Sequence, residues 1–145
     1  MVKMCINRDE KENAVKVCDS AFPPGVSICD KKNYYEIIDK IDQFADFIVD
    51  YENGEVVGYA AMYNNDTASK TAYITMIGVR EEYQRKHIGR KIMAQCKANA
   101  MRKNMKVIRL EVLDSNEKAI QFYENEGFVF EKRCSENSRY MVYSF

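Results

Sequence analysis

The sequence predicts an α/β domain in which helices cover the faces of a mixed, mostly antiparallel β-sheet. Segments with helical and with strand periodicity alternate along the chain, which favours the α/β class. The pair Asn53-Gly54 joins two strand-like segments, as is typical of an antiparallel hairpin. Helices separate other strands and can serve as crossovers between parallel strands. With 145 residues, the chain is expected to form one domain that spans residues 1–145.

The first half of the chain predicts a strand, two helices and three further strands. The alternation of Val2, Met4 and Ile6 with their neighbours indicates the first strand. Apolar residues at three- and four-residue spacing indicate the helices, and Pro23-Pro24-Gly25 ends the first of them. The expected elements are a strand at 2–6, helices at 9–22 and 33–44, and strands at 47–51, 56–63 and 71–79.

The second half predicts two helices and three strands. Apolar residues every four positions from Ile92 to Ala100 indicate a helix. Asp114, followed three residues later by Glu117, resembles a capping box that opens the last helix, and Gly127 suits the position that closes it. The expected elements are a helix at 88–104, a strand at 106–113, the helix before Gly127, and strands at 128–133 and 139–145.

The composition excludes several kinds of site. The five cysteines are odd in number and contain no Cys-x-x-Cys pair, so neither a disulfide framework nor a structural zinc site is expected. His87 is the only histidine, so a two-histidine metal site cannot form, and no metal is expected. Catalysis would have to use carboxylates, tyrosines, backbone amides or a bound cofactor.

The charges are balanced overall but unevenly distributed. The formal net charge is zero, with −5 on residues 1–79 and +5 on residues 80–145. This asymmetry is compatible with an anion bound by the second half, whereas a nucleic-acid binder is more often basic overall. The longest nearly unbroken apolar run, at 56–63, is too short to cross a membrane, and the N-terminus lacks a signal-peptide pattern. We therefore expect a soluble, cytoplasmic protein.

The segment at 79–91 predicts an anion site. A strand ends, a short basic loop follows, and a helix begins near Ile88, where unpaired N–H groups and the helix dipole attract negative charge. Gly89 permits close approach of a ligand or neighbouring backbone. Four basic residues add positive charge: Arg85, Lys86, Arg90 and Lys91. These features suit a pyrophosphate, and the alternative is a solvated basic turn that precedes an ordinary helix.

Two segments resemble the GNAT superfamily of acyl-CoA N-acyltransferases. The segment 84–89 (Gln-Arg-Lys-His-Ile-Gly) is similar to its acyl-CoA signature Gln/Arg-x-x-Gly-x-Gly/Ala, with His87 in place of the first glycine. The segment 108–128 is similar to its Leu-Glu-Val…Asn-x-x-Ala-x-x-x-Tyr-x-x-x-Gly-Phe block. The resemblance covers about 47–130. Within this range, the segments implied to bind the cofactor and to carry the catalytic residues are similar to those of the ribosomal-protein N-terminal acetyltransferases.

The resemblance implies a sheet of about seven strands with about four helices, and a splay between the fourth and fifth strands that receives acetyl-CoA. Gly78 is interpreted as marking a bulge or a close backbone approach. His87 either places its ring on a phosphate or is a tolerated loop substitution. Asn116, at or near the start of the last helix, is equally suited to cap that helix. The residues implied to bind the cofactor are Ile77, Gly78, Val79, Gln84, Arg85, Lys86, His87, Ile88, Gly89, Arg90 and Asn116.

The resemblance also implies two catalytic residues. The fourth strand contains no acid, so Glu111 on the fifth is the candidate base that deprotonates an amine. Its alternative role is an ion pair with Arg109, on the same face of the strand. Tyr123 is implied to protonate the leaving thiolate, and its alternative role is that of a core tyrosine.

The implied function is acetyl transfer from acetyl-CoA to a primary amine by direct attack in a ternary complex. The acceptor is a small-molecule amine, an amino sugar or a protein N-terminus, and acids such as Asp30 and Glu36 with nearby aromatics would suit a cationic amine. The alternatives are a non-catalytic acyl-CoA-binding or regulatory module and, with less support, a nucleotide-phosphate binder. No nucleic acid or membrane is expected as a partner, and a homodimer is compatible with the sequence.

Overall fold

The computed structural model describes residues 1–145 as one seven-stranded sheet with four α-helices, in the order expected. None of these helices combines the length and the apolar character that a membrane span requires. The elements are β1 (Val2–Met4), α1 (Arg8–Val17), α2 (Tyr34–Phe44), β2 (Ala45–Glu52), β3 (Glu55–Asp66), β4 (Thr71–Val79), α3 (Ile88–Arg102), β5 (Val107–Leu113), α4 (Glu117–Asn125), β6 (Val129–Ser135) and β7 (Ser138–Ser144).

The sheet is mixed and mostly antiparallel, as the sequence predicts. Its strand order is β1-β2-β3-β4-β5-β7-β6, and β4–β5 is the one parallel pair. The 3.6-residue pattern of α3 provides the crossover that a parallel pair requires. The chain thereby brings the ends of β4 and β5 to the same edge of the central sheet.

Each face of the sheet has its own apolar cluster, because successive side chains of a strand point to opposite faces. Ile48 and Leu110 lie on the face covered by α3, where they pack with Ile92. Phe47 and Val49 lie on the opposite face, which α1 and α2 cover. Burying one such aliphatic side chain contributes about 1.5–3 kcal/mol. The two clusters fix the sheet between its helix layers.

The hairpin between β2 and β3 has the predicted two-residue loop. Asn53 and Gly54 both adopt positive φ, at 53° and 79°. This is the backbone of a type I′ turn, which matches the twist of the flanking strands. The strands extend to the residues on either side, Glu52 and Glu55.

The helix α4 is closed as predicted but opened differently. The side chain of Asn116 accepts a hydrogen bond from the Ala119 N–H at 3.3 Å, so Asn116 is the N-cap. The capping-box interpretation of Asp114 is wrong: its carboxylate binds Arg133 and Arg139 on the two last strands instead. An acid that follows a strand has such partners only in the folded sheet, so local spacing misassigned it.

The C-terminal end of α4 is a Schellman motif. Gly127 has φ 96°, its N–H donates to the Glu124 carbonyl, and the N–H of Phe128 donates to the Tyr123 carbonyl. The ring of Phe128 then packs on Tyr123, with centroids 5.8 Å apart. The helix end therefore fixes the position of Tyr123 from its own C-terminal side.

Candidate active site

A cleft opens where β4 and β5 separate. The two strands pair only from Thr71–Val107 to Ile74–Leu110, although β4 continues to Val79 and β5 to Leu113. A bulge at Thr75 marks the separation, because Met76 pairs with Ala61 while Ile74 pairs with the next residue of β3. The resulting cleft has a volume of about 1790 Å³. The splay implied by the sequence resemblance is present in the structure.

Beyond Ile74, one edge of β4 has no strand partner. The residues 76–79 pair with β3 on one side, and the cleft lies on the other. Backbone groups alternate between the two edges of a strand, so some N–H and C=O groups of this segment face the cleft. Ile77, Gly78 and Val79 all line it. This edge offers the hydrogen bonds that an extended ligand would need.

Gly78 is required for close packing rather than for the bulge. A Cβ at this position would lie 2.7 Å from Cζ of Phe22, which follows the short 3₁₀ turn after α1. The bulge lies three residues earlier, at Thr75. The sequence predicted a bulge or a close backbone approach at Gly78, whereas the group that approaches it is an aromatic side chain of the α1–α2 connection.

The loop between β4 and α3 exposes six consecutive backbone N–H groups. Those of residues 85–90 have no backbone acceptor, because the first three belong to the loop and the last three to the first turn of α3. The amide of Gln84 donates to the Val79 carbonyl at 3.1 Å and ties the loop to the end of β4. Together with the helix dipole, these N–H groups form a concentrated site of positive potential.

The backbone of this loop is left-handed at two positions. Arg85 has φ 67° and His87 has φ 63°. For residues other than glycine this conformation costs about 1–2 kcal/mol. His87, which takes the place of a glycine in the resembled signature, is also the N-cap of α3, and its side chain makes no capping bond. The left-handed geometry at this position is thus kept without the glycine.

The basic residues of the loop do not all face the cleft. Arg85 and Arg90 line it, together with His87, Ile88 and Gly89. Lys86 lies outside the lining, with its ammonium 5.4 Å from the ring centroid of Tyr83.

Lys91 faces the opposite direction. It pairs with Asp50 at 3.1 Å and with Glu52 at 2.8 Å on β2. These carboxylates raise the pKa of the Lys91 ammonium, which stays protonated. Its positive charge is balanced by the two carboxylates and is therefore not available to a ligand in the cleft. The positive charge that this loop presents to the cleft therefore comes mainly from Arg85, Arg90 and the backbone.

Tyr123 is both a core residue and a cleft residue. It is 8% exposed, contacts Phe122 edge-on at 5.5 Å, and lines the cleft opposite β4. Burial raises the pKa of its phenol, and the Cys96 thiol adds to the shift. The hydroxyl therefore stays protonated at neutral pH. The two roles that the sequence left open for Tyr123 are compatible in the structure.

Glu111 is exposed and lines the cleft from β5. Its Oε2 accepts a hydrogen bond from the hydroxyl of Ser138 at 2.8 Å. The expected alternative partner, Arg109, instead binds Glu131 through two hydrogen bonds of 2.8 Å. The carboxylate of Glu111 is thus held by one neutral hydroxyl, and no cation is paired with it.

Tyr73 stands beside Glu111 on the same face of the sheet. Burial raises the pKa of Tyr73 to about 12, and the negative charge of Glu111 contributes to that increase. Tyr140 pairs directly with Glu111 across β5 and β7. Glu111 is consequently surrounded by a serine and two tyrosines, all of which are hydrogen-bond donors at neutral pH.

The acceptor side of the cleft differs from the sequence expectation. Phe22, Pro23 and Pro24 line it, but the anticipated acids Asp30 and Glu36 do not. The lining residues that the sequence analysis missed are Lys31, Lys40, Tyr63 and Tyr73. The two tyrosines are direct cross-strand partners on β3 and β4, so strand alternation could have indicated them. The lysines carry no comparable signal.

Comparison with known proteins identifies the family. A family model described as "Acetyltransferase (GNAT) family" matches residues 14–128. The curated protein N-alpha-acetyltransferase 60 of Xenopus tropicalis is 32% identical over 80 residues, which are 53% of this chain and 31% of that protein. The chain thus matches less than a third of the length of this relative.

Solved structures share the fold over the whole chain. The PaiA N-acetyltransferase of Thermoplasma acidophilum, in complex with coenzyme A, has a TM-score of 0.77 at 15% identity and covers 100% of this chain and 99% of its own. The ribosomal-protein-S18-alanine N-acetyltransferase of Escherichia coli has a TM-score of 0.75 at 17% identity, with 99% and 94% covered. The family match over most of the sequence and this shared architecture agree, and the chain belongs to the acetyltransferase (GNAT) family.

Proposed function

We propose that the protein transfers an acetyl group from acetyl-CoA to a primary amine by direct attack in a ternary complex. The amine is that of a small molecule, an amino sugar or a protein N-terminus. The observation that carries the proposal is one continuous cleft that is lined by Glu111, Tyr123 and, with the exception of Lys86, the residues 85–90 whose N–H groups have no backbone acceptor. Each of the three features supplies a different requirement of acetyl transfer.

The residues around the β4–α3 loop fit the diphosphate of coenzyme A. Six unpaired N–H groups, with Arg85 and Arg90 beside them, provide many donors and positive charge at one place. Lys86 contributes its backbone N–H, and Asn116 contributes the amide nitrogen that its capping role leaves available. The open edge at Ile77–Val79 then binds the pantetheine arm in the manner of an added strand.

Glu111 serves as the base that produces a neutral amine. An alkylamine with a pKa near 10.4 is neutral in only about one molecule per thousand at pH 7, so deprotonation is required before attack. Glu111 forms no ion pair, because the nearby Arg109 pairs with Glu131, and Ser138 holds one carboxylate oxygen, which leaves the other for the amine or a water molecule. A carboxylate in this position accepts the proton as the amine attacks.

A backbone N–H of the open segment of β4 and the phenol of Tyr123 act on the acetyl donor. Bound acetyl-CoA supplies an activated thioester carbonyl. The N–H at Ile77–Val79 stabilises the negative charge that develops on the carbonyl oxygen. Tyr123, kept protonated by burial, donates its proton to the departing sulfur.

The test is acetyl-CoA turnover against a panel of primary amines, read as released thiol. The wild-type protein is expected to release thiol faster with at least one amine than without any. Tyr123→Phe should lower kcat by about 100-fold, since a general acid typically contributes that much, while acetyl-CoA affinity stays within about twofold.

The matched control is Tyr143→Phe. This tyrosine belongs to the same aromatic cluster, 5.7 Å from Phe128, but does not line the cleft. It should leave kcat unchanged. Acetyl-CoA binding without thiol release for any amine would contradict the proposal and favour a non-catalytic acyl-CoA-binding module.

A further inference from the structure

The acceptor side of the cleft presents cations rather than acids. Lys31 and Lys40 line it, whereas the acids of α2 are either outside the lining or already paired. Asp39 binds Arg8, and Asp42 binds Lys11. Glu111 is the one acid that lines this side. The local charge is therefore opposite to the one that a polyamine or another purely cationic acceptor would favour.

The contact of Lys40 with Tyr63 places its ammonium at this surface. Its ammonium lies 5.1 Å from the ring centroid of Tyr63, a cation–π arrangement. Tyr63 pairs across the strands with Tyr73, and Tyr73 pairs with Arg109 on β5. Glu111 follows Arg109 by two residues and therefore lies on the same face of the sheet. The side chains thus form a continuous wall that runs from Lys40 to Glu111.

The length of this wall sets the spacing of two binding positions. Tyr63 lies on β3 and Glu111 on β5, two strands apart in the sheet. Neighbouring paired strands are separated by about 4.8 Å, so two such steps span roughly 10 Å, and the separation at Glu111 is larger because β4 and β5 diverge beyond the Ile74–Leu110 pair. The Lys40 ammonium above Tyr63 and the carboxylate of Glu111 both reach into the cleft. An acceptor whose amine lies at Glu111 and whose anionic group lies at Lys40 must therefore hold the two groups several bond lengths apart.

From these contacts we infer that the acceptor carries an anionic group in addition to its amine, and that Lys40, assisted by Lys31, binds this group. The inference rests on the proposed function and narrows its substrate class. The anionic group is a carboxylate or a phosphate, held several bonds from the amine. It belongs either to a small ω-amino acid or aminoalkyl phosphate, or to an acidic residue near a peptide N-terminus.

The first experiment compares acceptors that differ only in charge. A five-carbon ω-amino acid, the matching amino alcohol and the matching diamine are assayed for thiol release, with the corresponding aminoalkyl phosphate as a further arm. Short peptides with Asp or Lys as the second residue form the peptide arm. We expect kcat/KM to be about tenfold higher for the anionic acceptor than for the diamine or the lysine peptide, as one charge-assisted contact provides. The arm with the larger discrimination identifies the source of the anionic group.

The second experiment reverses the charge of one residue of this wall, Lys40. Lys40→Glu should abolish the preference for the anionic acceptor, about tenfold in kcat/KM, without changing the KM for acetyl-CoA. Lys32→Glu is the matched control, because Lys32 is an exposed lysine of the α1–α2 connection, next to Lys31, that does not line the cleft. The control should retain the wild-type preference.

Two results would overturn the inference while leaving the proposed function intact. One is equal or better turnover of the diamine by the wild-type protein, and the other is the same preference in Lys40→Glu as in Lys32→Glu. A complete absence of thiol release with every acceptor, despite acetyl-CoA binding, would instead overturn the proposed function and this inference with it.

Discussion

The two sides of the cleft are built in different ways. The proposed cofactor side is formed largely by consecutive backbone groups, the N–H groups of residues 85–90 and the open edge of β4. The acceptor side is formed by side chains from separate segments, with Phe22, Lys40, Tyr63 and Glu111 each on a different part of the chain. A backbone site depends on a short local motif, whereas a side-chain site depends on which segments the fold brings together.

This difference predicts that substitutions on the two sides of the cleft change different measured quantities. Substitutions around the loop should change acetyl-CoA binding, and substitutions on the acceptor wall should change kcat or acceptor selection. Single substitutions that changed acetyl-CoA binding together with kcat or acceptor selection would contradict this prediction.

The largest effect is expected for Glu111→Gln on the acceptor side. Glutamine keeps an oxygen that can accept the hydrogen bond from Ser138 but cannot remove a proton from an amine. We therefore expect kcat to fall by about 100-fold or more, with the KM for acetyl-CoA unchanged. Steady-state thiol release measures both constants.

Glu136→Gln is the control for this variant. Glu136 is an exposed carboxylate in the β6–β7 turn and does not line the cleft. It should have wild-type kinetics. A fall of less than threefold in kcat for Glu111→Gln would show that another group or solvent removes the proton.

The next effect is expected for Arg90→Glu on the cofactor side. Arg90 is exposed at the first turn of α3, where its weak pair with Glu126, at 3.8 Å, leaves it available to a phosphate. Replacing a favourable charge by a repulsive one should raise the KM for acetyl-CoA about tenfold and leave kcat at saturation nearly unchanged. Because the site is open to solvent, added salt should reduce the difference.

Lys106→Glu makes the same charge change outside the cleft. Lys106 is exposed just before β5 and is absent from the lining. A comparable rise in KM for Lys106→Glu would indicate a general effect of net charge rather than a contact of Arg90 with the cofactor.

The loop and helix start of the proposed cofactor side could be predicted from the sequence because their determinants are local. A strand end, a basic loop and a helix start occur within a few residues, and the unpaired N–H groups follow from the start of the helix itself. The hairpin at Asn53-Gly54 and the closure of α4 at Gly127 were predictable for the same reason. Each depends on backbone conformations that neighbouring residues determine.

The acceptor side could be predicted only in part because its contacts join distant segments. Glu111 lines the cleft, but its hydrogen-bond partner, Ser138, lies 27 positions away, and Arg109 pairs with Glu131 instead of with Glu111. In the same way, Lys40 rather than Glu36 faces the cleft because α2 presents the face that carries Ile37. Which side of an amphipathic helix borders a cleft depends on tertiary packing, which a single sequence does not specify.

A smaller effect, on stability, is expected for Asp114→Asn at the end of β5. Two arginines, Arg133 and Arg139, lower the pKa of the Asp114 carboxyl to about 2. Because the folded-state pKa lies below the unfolded value near 3.9, these contacts stabilise the protein above pH 4, and the stabilisation is lost as the pH falls toward 2.

The variant should therefore melt a few degrees below the wild type at pH 7, and the gap should close as the pH is lowered to about 2. Thermal unfolding followed by circular dichroism measures this, with Glu124→Gln as a control, since Glu124 is exposed and forms no ion pair. A gap that stayed constant with pH would exclude the carboxylate–arginine contacts as its cause.

The smallest effect, and the one that separates backbone from side chain within the loop, is expected for His87→Gly. The left-handed φ of 63° is costly for histidine and free for glycine, but glycine loses more entropy on folding, so the two contributions largely cancel. We expect the free energy of unfolding to change by about 0.5 kcal/mol, in the stabilising direction, and acetyl-CoA affinity to stay within about twofold.

Arg85→Gly is the informative comparison, because Arg85 has nearly the same φ, 67°, but also a charge that lines the cleft. If residue 87 binds only through its backbone, His87→Gly keeps the affinity, whereas Arg85→Gly weakens it several-fold because it removes a charge that lines the cleft. A loss of affinity in His87→Gly would instead place the imidazole on a phosphate.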